Sequence, residues 1–365
     1  MIETKLYKYE PDYVVTPGEI LEENLEARNI KKNDLAQRCG LSTKTISLII
    51  NGTAPISAET ALCFQRVLGV PASIWTNLEA NNRLSLAKNN ELQELAKSIE
   101  WATKFPIKQL IDRGLVEKKQ NKVEIVGQLL TFFGVGSVEA WEEKYEFMQV
   151  SFRCSPSFKS SREAVASWLR IGELCANKVD CKPYNKTLFA KALSTIQTMT
   201  TEDPDVFEPK MRRLCAEAGV VLVFVCELPG THLSGATMWL NKDKALIMLS
   251  LRHKREDYFW FCFFHEAGHV LLGSKKSIFL DEMNYFKDTE ENQANEFASN
   301  ALISPDLYRA FVAQSDFTPV AINNFAQQLG IASGIVVGRL QHDEEIHWKS
   351  LNELTRKFEL IEACG

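Results

Sequence analysis

The stretch His265-Glu266-Ala267-Gly268-His269 decides how the C-terminal half of this 365-residue chain is interpreted. On an α-helix, residues four apart lie one above the other on the same face, so both imidazoles can reach a single metal ion. Glu266 follows the first histidine and is placed to accept a proton from a water molecule beside that ion. The apolar flanks 258–264 and 270–272 predict a buried helix, where a dry metal site can be built. The alternative is a chance match on a core helix.

A third ligand is predicted in the next helical segment, residues 290–302, because a catalytic zinc site needs three protein ligands and one open position. Three carboxylates compete for this role: Glu290, Glu291 and Glu296. Glu291 shares a helical stripe with Ala294 and Ala298, whose small side chains allow close approach to the metal helix. Glu296 points about 140° away from that stripe. We therefore predict Glu291 as the ligand, the alternative for each glutamate being a solvated helix face.

These residues carry a resemblance to a known family. The run from Phe259 to Gly273, followed by Glu291-x-x-Ala-Asn-x-Phe-Ala and an apolar turn ending in Pro305, resembles the ImmA/IrrE metallopeptidases over roughly residues 215–342. The resemblance implies a zincin-like fold with Zn²⁺ held by His265, His269 and Glu291, and with Glu266 as general base. Two histidines and a carboxylate also suit Fe(II) or Mn(II), although the helix-borne motif favours zinc.

Short apolar runs before the motif predict a small sheet. Residues 220–225, 234–240 and 245–249 have the composition and length of strands, with a turn at 241–244. The sequence thus predicts a small antiparallel sheet followed by the metal helix. The edge of such a sheet can hold an extended peptide for cleavage.

The N-terminal part has the pattern of a helix-turn-helix at residues 35–52. Asn33 is predicted to cap the first helix, and Gly40 to form the turn, where a left-handed backbone suits glycine. Ser42 is predicted to cap the second helix, which Gly52 ends. The polar residues predicted to face DNA are Ser42, Thr43, Lys44, Thr45, Ser47 and Asn51.

This segment also resembles a family, the HigA-type antitoxins within the Cro/C1-type repressors, over about residues 14–85. The matching residues are Pro17-Gly18-Glu19-Ile20-Leu21, the helix-turn-helix, residues 56–61, and Trp75 and Leu78. The resemblance implies an all-α DNA-binding domain, a double-stranded DNA operator and a toxin partner, although this chain is far longer than such antitoxins. Operator symmetry predicts a homodimer.

Charge limits what kind of DNA contact the chain can make. The net charge of −5 argues against a general nucleic-acid or membrane coat. Between residues 27 and 58, however, five bases face one acid, Asp34, which leaves a local charge of +4. The five bases are Arg28, Lys31, Lys32, Arg38 and Lys44. Such a local patch, rather than net charge, decides phosphate binding.

Composition predicts a cytoplasmic protein without a membrane span. No apolar run approaches the eighteen residues of a span, and residues 1–6 lack the apolar centre of a signal peptide. The nine cysteines form no C-x-x-C pair, which indicates reduced thiols.

The predicted architecture is multidomain and mainly α with a small β-sheet. Its parts are an all-α helix-turn-helix domain (14–85), a helical middle region (86–210), an α+β zincin-like metallopeptidase domain (211–345) and a C-terminal helical tail (346–365). In the middle region, residues 90–101, 123–133 and 163–176 have helical periodicity, and 152–159 is predicted as an exposed crossing.

Two functions are compatible with these features. The first is a DNA-binding transcriptional regulator with a zinc-dependent metallopeptidase domain that hydrolyses a peptide bond in a repressor or other regulatory protein. His232, His253 and Tyr285 are its candidate oxyanion donors, and the sequence does not choose among them. The second is a non-proteolytic regulator or antitoxin-like protein whose zinc domain senses a ligand or binds a partner. The intact motif favours the first, since a sensor has no need of Glu266.

Overall fold

The structure of the protein is a computed structural model that describes residues 15–146, 160–273, 279–281 and 289–359. The chain forms two compact units: residues 1–99 with 122–124, and residues 100–121 with 125–365. Two sequence predictions, the exposed crossing at 152–159 and Tyr285 as oxyanion donor, lie outside the described residues. The predicted multidomain, mainly helical architecture with a small sheet is confirmed.

The first unit is all-α, as predicted. Its helices are α1 (Pro17–Ala27), α2 (Lys32–Cys39), α3 (Thr43–Ile50), α4 (Ala58–Leu68) and α5 (Ala72–Ala96). They bury one core, whose central side chains are fully inaccessible: Leu21, Leu35, Ile46, Phe64 and Trp75. Gly18 lets α1 approach α3 closely, because a Cβ atom at this position would lie 2.1 Å from the Ile50 carbonyl oxygen.

The helix-turn-helix has the predicted turn but a different first cap. Gly40 has a φ of 66°, and the Ser42 side chain accepts a hydrogen bond from the backbone N–H of Thr45. Asn33 is not the cap, because α2 begins one residue earlier at Lys32. Its Oδ1 instead accepts a hydrogen bond of 2.9 Å from the Thr43 hydroxyl, which ties α2 to α3.

Helix α5 is longer than predicted. The sequence predicts a separate helix at 90–101, but α5 continues to Ala96 and a short α6 (Ile99–Ala102) follows. No glycine or proline interrupts residues 72–96, so nothing in the backbone ends the helix there. Leu92, in this part of α5, is 45% exposed.

The remaining elements are a four-stranded sheet and the helices that precede and follow its strands. The helices before the sheet are α7 (Ile107–Asp112), α8 (Lys122–Phe133), α9 (Val138–Lys144), α10 (Arg162–Asn177), α11 (Lys186–Gln197) and α12 (Pro204–Glu217). The strands are β1 (Val220–Phe224), β2 (Gly235–Asn241), β3 (Lys244–Leu249) and β4 (Phe279–Asp281). The helices interspersed with and following them are α13 (Glu256–Leu272), α14 (Thr289–Leu302), α15 (Pro305–Val312), α16 (Pro319–Leu329) and α17 (Ser333–His342).

The sheet has the order β1-β3-β2-β4 and is mixed, so the prediction of an antiparallel sheet is wrong for one strand. β1 pairs with β3 in parallel, whereas β2 pairs with β3 and β4 in antiparallel. β3 lies between its hairpin partner β2 and the parallel strand β1. The connection from β1 to β2 therefore passes over the position that β3 occupies in the sheet. Every residue of β1 is buried, which is typical of a parallel strand covered on both faces.

The middle region contributes directly to this unit. Helix α10 packs on β1 and β3, and the Trp168 indole N–H donates a 2.9 Å hydrogen bond to the Val225 carbonyl oxygen. A Cβ atom on Gly172 would lie 2.1 Å from the Met248 sulfur, so the helix contacts the sheet at van der Waals distance. Helix α10 of the middle region therefore covers part of one face of the sheet.

The predicted C-terminal helical tail is wrong for the part that is described. Within residues 346–359 the only helical element is a 3-10 turn, Asn352–Leu354, preceded by Leu351 with a φ of 61°. The segment is held by side chains instead: the Arg356 Nε donates to the Glu256 Oε2 at 2.6 Å, and Phe358 is buried. Since Glu256 lies at the N-terminus of α13, this ion pair fixes the start of the metal helix, where negative charge is also favoured by the helix dipole.

Two helical stretches in the described residues pass a membrane-span test by length and composition. One is Lys122–Lys144, with a mean hydropathy of 1.3, and the other is the pair α16 and α17, bent by 113°. Of the apolar window in the first stretch, 28% is buried, and Phe133 and Trp141 of that stretch are fully buried.

Candidate metal centre and nucleic-acid interface

Three side chains converge at the contact of α13 and α14. The Nε2 atoms of His265 and His269 lie 3.0 Å apart. The Glu291 carboxylate places Oε2 3.2 Å from the first and Oε1 3.2 Å from the second. Both histidines are buried, and 23% of the Glu291 side chain is exposed. Glu291, which the helical phase favours as third ligand, thus lies beside both histidines, whereas Glu296 is exposed to solvent.

The donor set fits a tetrahedral cation. Ligand atoms bound to zinc at 2.0–2.1 Å in tetrahedral geometry lie about 3.3 Å from each other. The three observed separations, 3.0 Å and twice 3.2 Å, are close to that value. Two histidines and one carboxylate leave a fourth position open, which is the arrangement of a catalytic rather than a structural zinc site.

Asn295 orients the first histidine. Its Oδ1 lies 2.9 Å from the His265 Nδ1 and can accept a hydrogen bond from the ring there, which directs Nε2 toward His269 and Glu291. An outer partner of this type commonly fixes the tautomer and ring orientation of a metal-binding histidine.

The Glu291 carboxyl is held in its ionised form. Burial alone raises its pKa, but the hydrogen bonds and charges of His265 and His269 outweigh that effect and bring the pKa to about 2. The carboxylate is therefore negative at every pH at which the protein is expected to work, as a metal ligand requires.

Glu266 lies about 100° around α13 from His265 and contacts the sheet. It is completely buried, and its Oε2 accepts a 2.6 Å hydrogen bond from the Thr237 hydroxyl of β2. Gly235 makes room for it, because a Cβ atom there would lie 2.5 Å from the Glu266 Oε1. The fold thus buries this carboxylate in a fixed orientation one residue after a candidate ligand, at the cost of removing it from water.

Sequence reasoning missed three residues of this site. Thr237 and Gly235 lie in a predicted strand, and the only signal was a hydroxyl within an apolar run. Asn295 lies one turn after Glu291 on the same helical stripe, a position that could have suggested an outer partner.

The two described candidates for a second oxyanion donor have other contacts. The His253 ring packs on Tyr258 with a centroid distance of 4.5 Å. The backbone carbonyl oxygen of His232, a residue with a φ of 50°, accepts a hydrogen bond from Arg252. Neither contact assigns an oxyanion role to these residues.

The residues predicted to face DNA lie on and beside α3. Ser42, Thr43, Lys44 and Asn51 are exposed, while Thr45 and Ser47 are half-buried. Several of their hydroxyls already bond within the motif: Ser42 Oγ lies 2.8 Å from Thr45 Oγ1, and Thr43 donates to Asn33. These groups therefore stabilise the motif as well as being available at its surface.

Ion pairs reduce the local positive patch. Lys32 pairs with Glu22 at 2.8 Å, and Arg38 pairs with Asp34 at 2.7 Å. Lys31 and Lys44 have no ion pair with the described residues of this unit. They are consequently the bases best able to contact phosphate without first breaking an internal contact.

Comparison with known families also gives a helix-turn-helix part and a separate peptidase-like part. Residues 21–75 match the helix-turn-helix family, and residues 216–341 match peptidase family M78, described as the IrrE N-terminal-like domain. The second range agrees closely with the resemblance predicted over 215–342. The fold and site thus define a DNA-binding type of domain followed by a metallopeptidase-like one.

The similar proteins each match about a quarter of this chain, a length in keeping with the helix-turn-helix domain. The uncharacterized HTH-type transcriptional regulator YbaQ of Escherichia coli K12 is 32% identical over 92 residues, which are 25% of this chain and 81% of that protein. YddM of the same organism, described in the same terms, is 27% identical over 81 residues, 22% of this chain and 84% of that protein. A solved structure, an addiction module antidote protein of a HigA family from Coxiella burnetii, is 29% identical with a TM-score of 0.21, covering 23% of this chain and 92% of that one. The chain belongs to the HTH-type transcriptional regulators and carries an ImmA/IrrE-type peptidase domain in its C-terminal half.

Proposed function

We propose that this protein is a cytoplasmic, DNA-binding transcriptional regulator whose C-terminal domain is a zinc-dependent endopeptidase acting on a repressor or another regulatory protein. The observation that carries the proposal is the convergence of His265, His269 and Glu291 at 3.0–3.2 Å. Glu266, buried and oriented by Thr237, adds the proton acceptor that peptide hydrolysis needs and ligand sensing does not.

In this mechanism the three converging residues hold the metal, and Asn295 keeps the His265 ring in the orientation that exposes Nε2. A zinc ion bound there supplies Lewis-acid chemistry, which polarises a carbonyl group and acidifies water. Glu266 accepts the proton of the water whose oxygen forms a bond to the scissile carbonyl carbon. The same carboxyl then delivers that proton to the leaving amide nitrogen as the C–N bond breaks, and Thr237 holds its orientation throughout.

The test of the proposal follows new protein N-termini by mass spectrometry. The full-length protein, either loaded with zinc or stripped by a chelator, is incubated with an extract of cells that lack it. We expect about one zinc per chain, as a three-ligand site requires, and at least one protein cut only by the loaded form. If the loaded form holds zinc and cuts nothing, a sensor or scaffold role replaces the peptidase.

We also propose that residues 14–85 bind a double-stranded DNA operator as a homodimer, since helix-turn-helix proteins commonly read two half-sites. The resemblance to HigA-type antitoxins adds a toxin as a candidate partner of this domain. The peptidase domain is proposed to occupy residues 211–345, preceded by the helical region 86–210.

Lys44→Ala is expected to weaken DNA binding by a similar factor for every sequence. Lys44 is exposed on α3 without an ion pair in the described part of the chain, so a phosphate is its natural partner. The logarithm of the DNA-binding constant falls linearly with the logarithm of the salt concentration. Removing one phosphate contact should make that slope shallower by about 1. The measurement is a salt series of anisotropy titrations on a DNA site selected with the wild-type protein.

The matched control is Lys97→Ala, a lysine at the end of α5 that pairs with Glu94 at 2.7 Å. It should leave both affinity and salt slope unchanged. An unchanged slope for Lys44→Ala would mean that α3 does not face the DNA backbone at this residue.

A further inference from the structure

A cavity of about 220 Å³ lies beside the metal centre and is lined by the same two helices together with α17. Phe261 of α13 lines it, four residues before His265, and the two rings are 6.2 Å apart between centroids. Ser299 and Leu302 of α14 line it from the other side. They continue the helical stripe that begins with Glu291, so the cavity and the centre follow one line along the contact of α13 and α14.

The walls of the cavity are mainly apolar. Leu302, Ile303 and Ile335 are buried around it, and Phe261 is half-buried. Trp348 also lines the cavity, although 63% of this large side chain is exposed to solvent. A ligand that covers this exposed tryptophan would remove its apolar surface from water, which stabilises the bound state.

The arginines and the aspartate that line the cavity already have partners. The Arg255 guanidinium makes two hydrogen bonds to Asp257, at 2.9 and 2.8 Å, and one to Gln341 at 3.0 Å. Arg339 pairs with Asp343 at 2.6 Å. A charged occupant would have to displace one of these partners, whereas an apolar occupant would leave them intact.

The size of the cavity limits the occupant further. A dry cavity of about 150 Å³ accepts a benzene ring, whereas pockets for whole small ligands span about 300–1,000 Å³. A volume of 220 Å³ lies between these values and suits one aromatic or long aliphatic side chain. Gly338 lets α17 approach α13 closely at this cavity, because a Cβ atom there would lie 2.5 Å from the Asp257 carboxylate.

We propose that this cavity is a specificity pocket that holds one large apolar side chain, aromatic or long aliphatic, of the polypeptide cut at the metal centre. The inference rests on the proposed peptidase function. One helical turn rises about 5.4 Å, and an extended peptide advances about 3.3–3.6 Å per residue. Since the cavity lies one turn from His265 along α13 and two turns from Glu291 along α14, its side chain belongs to a residue roughly two or three positions from the scissile bond.

The test is a cleavage profile of the full-length, zinc-loaded protein on a peptide library made from a cell proteome. Wild type should cut at one fixed spacing from Phe, Leu or Met. Ser299→Phe, which fills the cavity from α14, should lower kcat/KM for those peptides roughly 10- to 200-fold and shift the preference to Ala or Gly. Its zinc content should not change, since Ser299 lies two turns from Glu291.

Asn300→Phe is the matched control, because Asn300 is the next residue of α14 and is exposed. It should keep the wild-type profile. Trp348→Ala is a second variant. It shortens an exposed side chain, so the fold does not have to accommodate a larger residue. It should raise KM for aromatic peptides more than it lowers kcat.

The outcomes separate the two proposals. If wild type cuts peptides with no apolar preference, or if Ser299→Phe and Trp348→Ala keep the wild-type profile, the pocket assignment is wrong and the peptidase proposal stands. If the zinc-loaded wild type cuts neither peptides nor extract proteins, the peptidase proposal fails and takes the pocket assignment with it.

Discussion

Glu266→Gln is expected to abolish peptide hydrolysis while leaving zinc bound. The amide has nearly the shape of the carboxylate, and its oxygen can still accept the hydrogen bond from Thr237. It cannot take a proton from water at neutral pH, so the general acid–base contribution, typically 10²- to 10⁴-fold in rate, is lost. The measurement is kcat/KM on the protein cut by wild type, together with zinc content by mass spectrometry.

Glu296→Gln provides the control for this experiment. Glu296 is an exposed carboxylate of α14, and its replacement removes one negative charge without touching the site. It should retain wild-type cleavage and wild-type zinc. Full cleavage by Glu266→Gln would show that another group moves the proton, and loss of its zinc would mean that Glu266 supports the metal rather than the reaction.

Features that are encoded within one helix could be predicted from the sequence. The spacing of His265 and His269 fixes their common face, and the pattern around Gly40 and Ser42 fixes the helix-turn-helix, without knowledge of any distant contact. Helical phase alone also separates Glu291, which lies at the site, from Glu296, which is exposed.

Features that depend on tertiary approach could not be predicted. Thr237 reaches Glu266 only because β2 passes over α13, and Arg356 reaches Glu256 across 100 residues of sequence. The parallel pairing of β1 is another such feature, since a short apolar run is compatible with either direction until its neighbours are known. A hydroxyl in a strand or an arginine near a chain end carries no signal of its eventual partner.

The predicted tail helix failed for a related reason. Residues 346–359 contain helix formers, but contacts of Arg356 and Phe358 with α13 and the core hold the segment in turns without an α-helix. Packing of a few anchored side chains outweighs the weak propensity of so short a segment.

Glu291→Gln is expected to reduce zinc affinity by on the order of 10²-fold or more, because it replaces a charged ligand by a neutral one. Loss of an outer partner such as Asn295 typically costs roughly 10- to 100-fold, so Asn295→Ala should lie between Glu291→Gln and wild type. The measurement is a competition titration against a chromophoric chelator, with Glu296→Gln as the matched control that keeps wild-type affinity. The reverse result, with Glu296→Gln losing zinc, would mean that the helical phase of α14 is wrong.

The pH dependence of zinc binding adds a second, independent readout of the same site. Since the pKa of Glu291 is about 2, this carboxylate stays ionised well below neutral pH and does not titrate where zinc is released. Acid should nevertheless weaken binding, because protons compete with the metal for the two imidazoles. Affinity should therefore fall with decreasing pH along parallel curves for wild type and Glu291→Gln, the variant being lower throughout. A pH dependence that disappears in Glu291→Gln would contradict this assignment, since it would make the carboxyl, rather than the histidines, the group that exchanges a proton for zinc.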